Sequence, residues 1–489
     1  MNRLNTKSLS ELNPGVAMPS FDRSEVKTGI VHFGVGGFHR AHMAMALDSL
    51  MSTGRALEWG ICGVGLMPFD LRMRDALTDQ DCLYSLTLKH ADGTLEPRVI
   101  GSVAEYLYAP DSPEAVIEKL ADETTRIVSL TITEGGYNFD RVTGEFDVLN
   151  PAVAADLEKD ATPTTVFGFV IEGLRRRKER GLKPFTVLSC DNIQGNGNVA
   201  KKMFLAFAKL KDESLSSWIE HNVLFPNSMV DRITPVTTAQ DIELVANLLG
   251  VRDAWPVVAE PYFQWVIEDE FTLGRPEFEA VGAQFVSDVE PYELMKLRLL
   301  NVSHQALAYF GYLSGYTFAH EAISDPAISS FVMKYMDNEA SPTLRPVPGI
   351  DLQLYKKTLI ERFANPEVRD TLARLCAETS DRIPKWLLPI IREQLANGRD
   401  ITRSAAIIAS WARYAEGIDE AGNAIDVVDP LKDLLIPIAK SQRENPLAFI
   451  QNEAIFGDLA KNEVFAAEYL RTLSSIFEFG AHKTVSALG

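Results

Sequence analysis

The first half of the chain places its apolar residues in short consecutive runs separated by longer segments of helical period. The runs at 30–33 (IVHF), 59–65 (WGICGVG), 126–133 (RIVSLTIT) and 185–190 (FTVLSC) are apolar on adjacent positions, which marks strands buried on both faces. Between them, 38–50 and part of 161–181 repeat apolar residues every three to four positions and predict helices. Strands alternating with helices predict a parallel-rich sheet covered on both faces, with ligands bound beyond the carboxyl ends of its strands. From about Asp288 the texture changes. The patterns at 293–312, 351–363, 366–378, 402–416 and 463–479 are helical, punctuated by turns such as Asn365-Pro366 and Asn397-Gly398. The chain is therefore read as an α/β domain over 1–286, followed by an all-α domain over 287–489.

The segment opening the second half, Pro291-Tyr292-Glu293-Leu294-Met295-Lys296-Leu297-Arg298-Leu299-Leu300-Asn301-Val302-Ser303-His304, carries polar groups within a mostly apolar run. Pro291 suits a helix start, and nothing after it interrupts the helix. At about 100° per residue, Asn301 lies about 140° round from Lys296 and His304 about 80° round, so all three share one half of the helix. A buried lysine either finds a partner or loses its proton, and desolvation brings its pKa toward the range of a general base. Asn301 would then offer an N–H to a developing oxyanion, and His304 would hold a hydroxyl. The same residues also suit a plainer arrangement, with Lys296 reaching solvent, Asn301 bonding a nearby carbonyl and His304 packed in the core. Tyr292 and Lys296 form a Tyr-x-x-x-Lys pair, but one far from the glycine-rich turn, and Tyr292 is the weaker candidate base.

Composition narrows the classes. Hydrophobic residues make up 46% and charged residues 24%, which is ordinary for a soluble globular protein. A net charge of −19 argues against nucleic acid or an anionic membrane as partner. The first twenty residues lack the apolar core of a signal peptide, and no run has transmembrane length. The 4 cysteines are scattered and the 8 histidines form no ligand cluster, so neither a disulfide framework nor a metal is expected. A cytoplasmic, metal-free protein is the reading.

The strand at 30–33 runs into Gly34-Val35-Gly36-Gly37-Phe38 and a helix, the strand–turn–helix context of a dinucleotide site. A third glycine is missing, because position 39 is His. After the second strand, Asp70 is the acidic residue placed to accept from a ribose and repel a 2′-phosphate, favouring NAD over NADP, although Arg72 and Arg74 follow closely. A helix N-cap is the other role open to Asp70. Thr133, Glu134 and Asn192 fall at the carboxyl edge of the predicted sheet, and Asn192 is a second candidate oxyanion donor. Asp231-Arg232, between apolar neighbours, suits a structural ion pair.

Four separated blocks make the chain resemble the polyol-specific long-chain dehydrogenases, the mannitol 2-dehydrogenase and fructuronate reductase family. They are Gly34-x-Gly36-Gly37-Phe38-His39-Arg40-Ala41-His42, Ser129 to Tyr137 (SLTITEGGY), Ser189-Cys190-Asp191-Asn192, and Val223 to Pro235 (VLFPNSMVDRITP). Lys296-x-x-x-x-Asn301-x-x-His304 adds to them, and the similarity covers nearly the whole chain. The resemblance implies a Rossmann-type domain, a helical domain and a site in the cleft between them, with NAD as cofactor and a polyol, ketose or sugar acid as substrate. It implies Lys296 as a metal-independent general base, Asn192 and Asn301 on the alkoxide, and His304 and Asp231 on substrate. Gly34, Gly36, Gly37, Phe38, Asp70 and Thr133 are the implied cofactor residues. Glu293, one turn before Lys296, is a candidate proton relay. Arg374, in Arg374-Leu375-Cys376, and Arg382, where mannitol dehydrogenases tend to have Lys, are candidate substrate contacts. Val302 stands where the family usually has Gly. The resemblance leans toward the mannitol branch and a monomer, with fructuronate or another pentitol or hexitol as alternatives.

Overall fold

The computed structural model describes residues 1–140 and 143–489. It divides into two compact units, Met1–Glu290 and Pro291–Gly489.

The first unit holds eleven strands among the described residues: β1 (Thr28–Phe33), β2 (Gly60–Gly65), β3 (Tyr84–Lys89), β4 (Leu95–Ile100), β5 (Val103–Tyr108), β6 (Ile127–Leu130), β7 (Thr186–Ser189), β8 (Ser228–Asp231), β9 (Val257–Ala259), β10 (Gln264–Glu268) and β11 (Gln284–Val286). Five of them form an all-parallel sheet in the order β5-β2-β1-β6-β7. Alternation along each strand explains the consecutive apolar runs. Val31, Phe33, Cys62, Val64, Val128, Leu130 and Val187 enter one core, which the helix Val166–Glu179 also fills. The intervening Ile30, Ile61, Ile127 and Leu188 enter the core on the opposite face. Two three-stranded sheets, β4-β3-β9 and β11-β10-β8, complete the unit. Both are mixed, with β3–β4 and β8–β10 antiparallel.

Two elements of this unit differ from the sequence expectation. The run predicted to continue as strand to 133 stops at Leu130, and Thr133–Gly136 is a helical turn. The helix predicted over 38–50 breaks at His42 into Gly37–Ala41 and Met43–Met51. The break is stabilised from outside: Arg232 Nη1 donates to the Ala41 carbonyl at 2.6 Å and the Tyr84 hydroxyl to the Arg40 carbonyl at 2.6 Å. Arg232 also donates to the Tyr262 and Pro261 carbonyls, so its partners are backbone oxygens rather than the neighbouring Asp231.

The second unit is helical. Its central helix, Val302–Leu313, is buried almost all round and packs on Ala319–Ser324, Pro326–Tyr335, Leu372–Leu375 and Thr402–Tyr414. Gly311 permits one of these crossings, since a Cβ there would stand 2.8 Å from that of Ala322. The helix predicted over 366–378 is confined to Leu372–Leu375, because Thr371 is drawn into a β-bridge with Phe318. No helix among the described residues is long and apolar enough to cross a membrane.

Candidate active site

In the first unit, the carboxyl end of β1 turns at Gly34, where φ is +91° and a Cβ would lie 2.1 Å from the Thr131 carbonyl oxygen. No residue with a side chain fits. Gly36 closes the turn by donating to the Gly34 carbonyl at 2.7 Å. Behind it the buried His32 ring contacts Ser129 Oγ at 2.8 Å and the Gly34 carbonyl at 3.2 Å. Burial pushes that imidazole down to about 3, so it works as a neutral clamp between β1 and β6.

A cavity of about 870 Å³ opens over this turn, and Gly34, Gly36, Gly37, Phe38, Asp70 and Thr133 all line it. Asp70 Oδ2 accepts from the backbone N–H groups of Leu66 (2.9 Å) and Met67 (2.8 Å). The carboxylate therefore shapes the loop after β2 and makes no N-cap bond to the helix Leu71–Asp79. The side chains following it are occupied elsewhere. The Arg72 guanidinium sits 4.2 Å from the Trp255 ring centroid, and Arg74 pairs with Asp75 and Asp111.

Thr133 has a left-handed backbone, φ +63°, held by Asp191 at the end of β7. The Asp191 carboxylate accepts from Thr133 N (2.8 Å), Ile132 N (3.1 Å) and the Tyr137 hydroxyl (2.8 Å). Burial raises its pKa, and those three donors oppose the rise. Asn192 follows in the exposed turn after β7, while Asp231 is buried at the end of β8, opposite Gln264 of β10.

Apart from Asp70, Arg40 is the charged side chain in the cavity wall among the described residues, and sequence reasoning missed it. It is buried, its Nη1 donates to the Trp255 carbonyl, and its guanidinium lies over the Tyr84 and Trp255 rings at 5.3 and 5.5 Å. Its adjacency to the glycine turn was the available signal. A wall otherwise uncharged, with one acid and one cation, suits a ligand that bears both hydroxyls and an anionic group.

In the second unit, Lys296 and Asn301 are 7% and 5% exposed and Glu293 is 6% exposed. The helix carrying them is not α-helical throughout: Glu290–Met295 is α, Lys296–Asn301 is π-helical and Val302–Leu313 is α again. This corrects the geometry of the sequence reading. A turn bonded i to i+5 needs more than four residues, so Asn301 comes round toward Lys296's side of the helix instead of standing about 140° away. Asn301 Nδ2 is buried and has no hydrogen-bond partner among the described residues, which makes it an unspent donor. The His304 ring packs on Phe363 with centroids 4.7 Å apart. Tyr292 is buried, with its hydroxyl donating to the Pro348 carbonyl at 2.7 Å. Arg382 lies on the helix Thr379–Trp386, within 3.4 Å of the Leu375 carbonyl and 3.2 Å of Glu378. Arg374 makes a two-pronged pair with Asp370 at 2.6 and 2.5 Å. No group of three or more His, Cys, Asp or Glu side chains with metal-binding geometry occurs among the described residues.

The models for the mannitol dehydrogenase Rossmann domain and C-terminal domain match residues 28–280 and 288–477. The chain belongs to the mannitol dehydrogenase family. A mannitol 2-dehydrogenase from Pyrenophora tritici-repentis is 47% identical over 484 residues, covering 98% of this chain and 85% of that one. Among solved structures of the family, the Pseudomonas fluorescens mannitol 2-dehydrogenase in ternary complex with NAD and D-mannitol is similar with a TM-score of 0.88 and 44% identity, covering 99% of both chains. A substrate-free D-sorbitol dehydrogenase is similar with a TM-score of 0.93 and 38% identity, covering 99% of this chain and 100% of that one.

Proposed function

We propose that this chain is an NAD-dependent, metal-independent polyol dehydrogenase interconverting D-mannitol and D-fructose, with Lys296 as general base. The observation that carries the reading is the π-helical turn that holds the buried Lys296 and the unspent Asn301 amide on one side, in a member of this family. The cavity over the glycine turn fits a dinucleotide: Gly36 bears no side chain to block its backbone, Arg40 supplies a cation and Asp70 an acceptor for ribose hydroxyls. A bound NAD would supply the hydride acceptor for the carbinol carbon.

The rest is done by the chain's own side chains. Lys296 Nζ takes the hydroxyl proton as the carbonyl forms. Asn301 Nδ2 and Asn192 donate to the oxygen on which charge develops, and Asn301, already free of water, needs no reorganisation to do so. His304, Asp231, Arg374 and Arg382 hold the remaining hydroxyls, and Glu293 passes the proton onward. The reading requires groups from both units to act on one substrate molecule, and it keeps the domains at 1–286 and 287–489. The enzyme is proposed to work as a monomer in the cytoplasm. The mannitol 2-dehydrogenase relatives support mannitol as substrate, and the likeness to a D-sorbitol dehydrogenase supports sorbitol as the second reading.

The test is oxidation of NADH and NADPH at matched concentrations with D-fructose and D-fructuronate, before and after chelation and dialysis. Fast, chelator-insensitive turnover of fructose with NADH is expected. Preference for fructuronate would move the chain to the sugar-acid branch.

A further inference from the structure

An α-helix returns the N–H of residue i to the carbonyl of residue i−4. At the end of the Lys296–Asn301 segment, Val302 N–H instead bonds to Leu297 O, one residue further back. The carbonyl of Arg298, which Val302 would serve in an α-helix, therefore loses that donor. Arg298 is half-buried, and a carbonyl there without a donor is disfavoured. A side chain from another helix takes the place of the missing donor: the Tyr335 hydroxyl, at the end of Pro326–Tyr335, donates to Arg298 O at 3.0 Å. Tyr335 is fully buried. The Arg298 side chain is anchored separately, to the Thr343 carbonyl at 2.7 Å and Glu393 at 2.9 Å.

We propose that Tyr335 is a positioning residue for catalysis, its hydroxyl holding the π turn open by satisfying the carbonyl that the turn bypasses. The turn in turn sets where Lys296 stands relative to Asn301. If Val302 N–H reverted to Arg298 O, the segment would wind as an α-helix and the two residues would move toward a separation of about 140° around the axis. Tyr335 does this without touching substrate or cofactor. The proposal rests on the reading of Lys296 and Asn301 given above.

Tyr335→Phe is the test, because it keeps the ring and its packing and removes only the donor. The expected result is a fall in kcat of about ten- to a hundredfold, the scale of an ångström-sized misplacement of a catalytic group. The midpoint of the acid limb of the kcat pH profile for polyol oxidation, where the base must have lost its proton, should shift, with NADH Kd unchanged within about twofold. Amide hydrogen exchange in a peptide spanning 296–303 should accelerate while the helix Thr402–Tyr414 keeps its protection. That readout does not involve activity, so it separates this proposal from the assignment of Lys296: Lys296→Ala with near-normal turnover would remove the assignment and leave the exchange result standing. Wild-type kcat, pH profile and 296–303 exchange in Tyr335→Phe would overturn the proposal. So would a Tyr335→Phe chain unable to fold, since the hydroxyl would then be needed globally and not at one turn.

Discussion

Gly34 and Gly36 sit two residues apart in the same turn, yet the structure assigns them different duties, and alanine at each separates the two. At Gly34 the backbone has φ +91°, a region that costs an L-residue about 1–2 kcal/mol. The added Cβ would also stand 2.1 Å from the Thr131 carbonyl oxygen. Neither side can yield freely: Thr131 N donates to Phe33 O at 3.0 Å and its hydroxyl to Gly34 O at 2.7 Å, and relieving the clash sacrifices one or both, at about 1 kcal/mol each. Gly34→Ala should thus lose about 3 kcal/mol of stability, on the order of 5 °C in the Tm of the Met1–Glu290 unit. At Gly36 φ is −97° and the nearest atom to a Cβ is Gly34 O at 3.8 Å, an ordinary contact. Gly36→Ala should keep Tm within about 2 °C, because substitutions without such clashes usually change stability by about 0.5 kcal/mol. Its methyl enters the cavity, so NADH Kd should rise at least about tenfold, or ~1.4 kcal/mol. Scanning calorimetry and NADH titration on both variants suffice. Equal Tm losses in the two, or an unchanged Kd in Gly36→Ala, would refute the division of roles.

Three further outcomes are expected. On the proposed role of Asp70 in repelling a 2′-phosphate, Asp70→Ala should raise kcat/KM for NADPH relative to NADH at least about tenfold; an unchanged ratio in a cofactor-swap assay would remove Asp70 from cofactor choice. Asn301→Leu should lower kcat about 10²–10³-fold, the usual loss for one oxyanion donor, without loss of stability because its Nδ2 spends no bond in the fold; a large Tm drop with normal kcat would reverse that reading. Glu339 is buried against the N-terminus of Thr402–Tyr414, accepting from Arg403 N and Ser404 N at 2.7 Å, and burial pushes its pKa up to about 7 from the usual 4.5. The unfolded chain then loses its proton first as pH rises, so stability falls between about pH 4.5 and 7, by up to about 3 kcal/mol. Denaturant melts of wild type and Glu339→Gln across that range should converge at the acid end and separate above it, and parallel curves would count against the raised pKa.

Much of the first unit was legible because its strands are buried on both faces: Val31 and Phe33 feed one core and Ile30 the other, which forces consecutive apolar residues. The six residues read as cofactor contacts line one cavity because they follow β1, β2 and β6 at the same edge of a parallel sheet. What stayed hidden depends on distant partners. Nothing near His42 announces a helix break, because its carbonyls are capped by Arg232 and Tyr84 from far along the chain. The π turn at Lys296 was equally silent: its sequence is a good α-helix, and a donor at Tyr335 satisfies the bypassed carbonyl. Helical period over 366–378 misled for the same reason, Thr371 pairing with Phe318 instead.

The most direct test of the account is single-turnover hydride transfer from D-mannitol to NAD in Lys296→Ala, with Tyr292→Phe as control. Lys296→Ala should slow the step by about 10²–10⁴-fold while NAD still binds, and Tyr292→Phe, whose hydroxyl is committed to Pro348 O, should stay within a few-fold of wild type. Near-normal transfer in Lys296→Ala would contradict the mechanism.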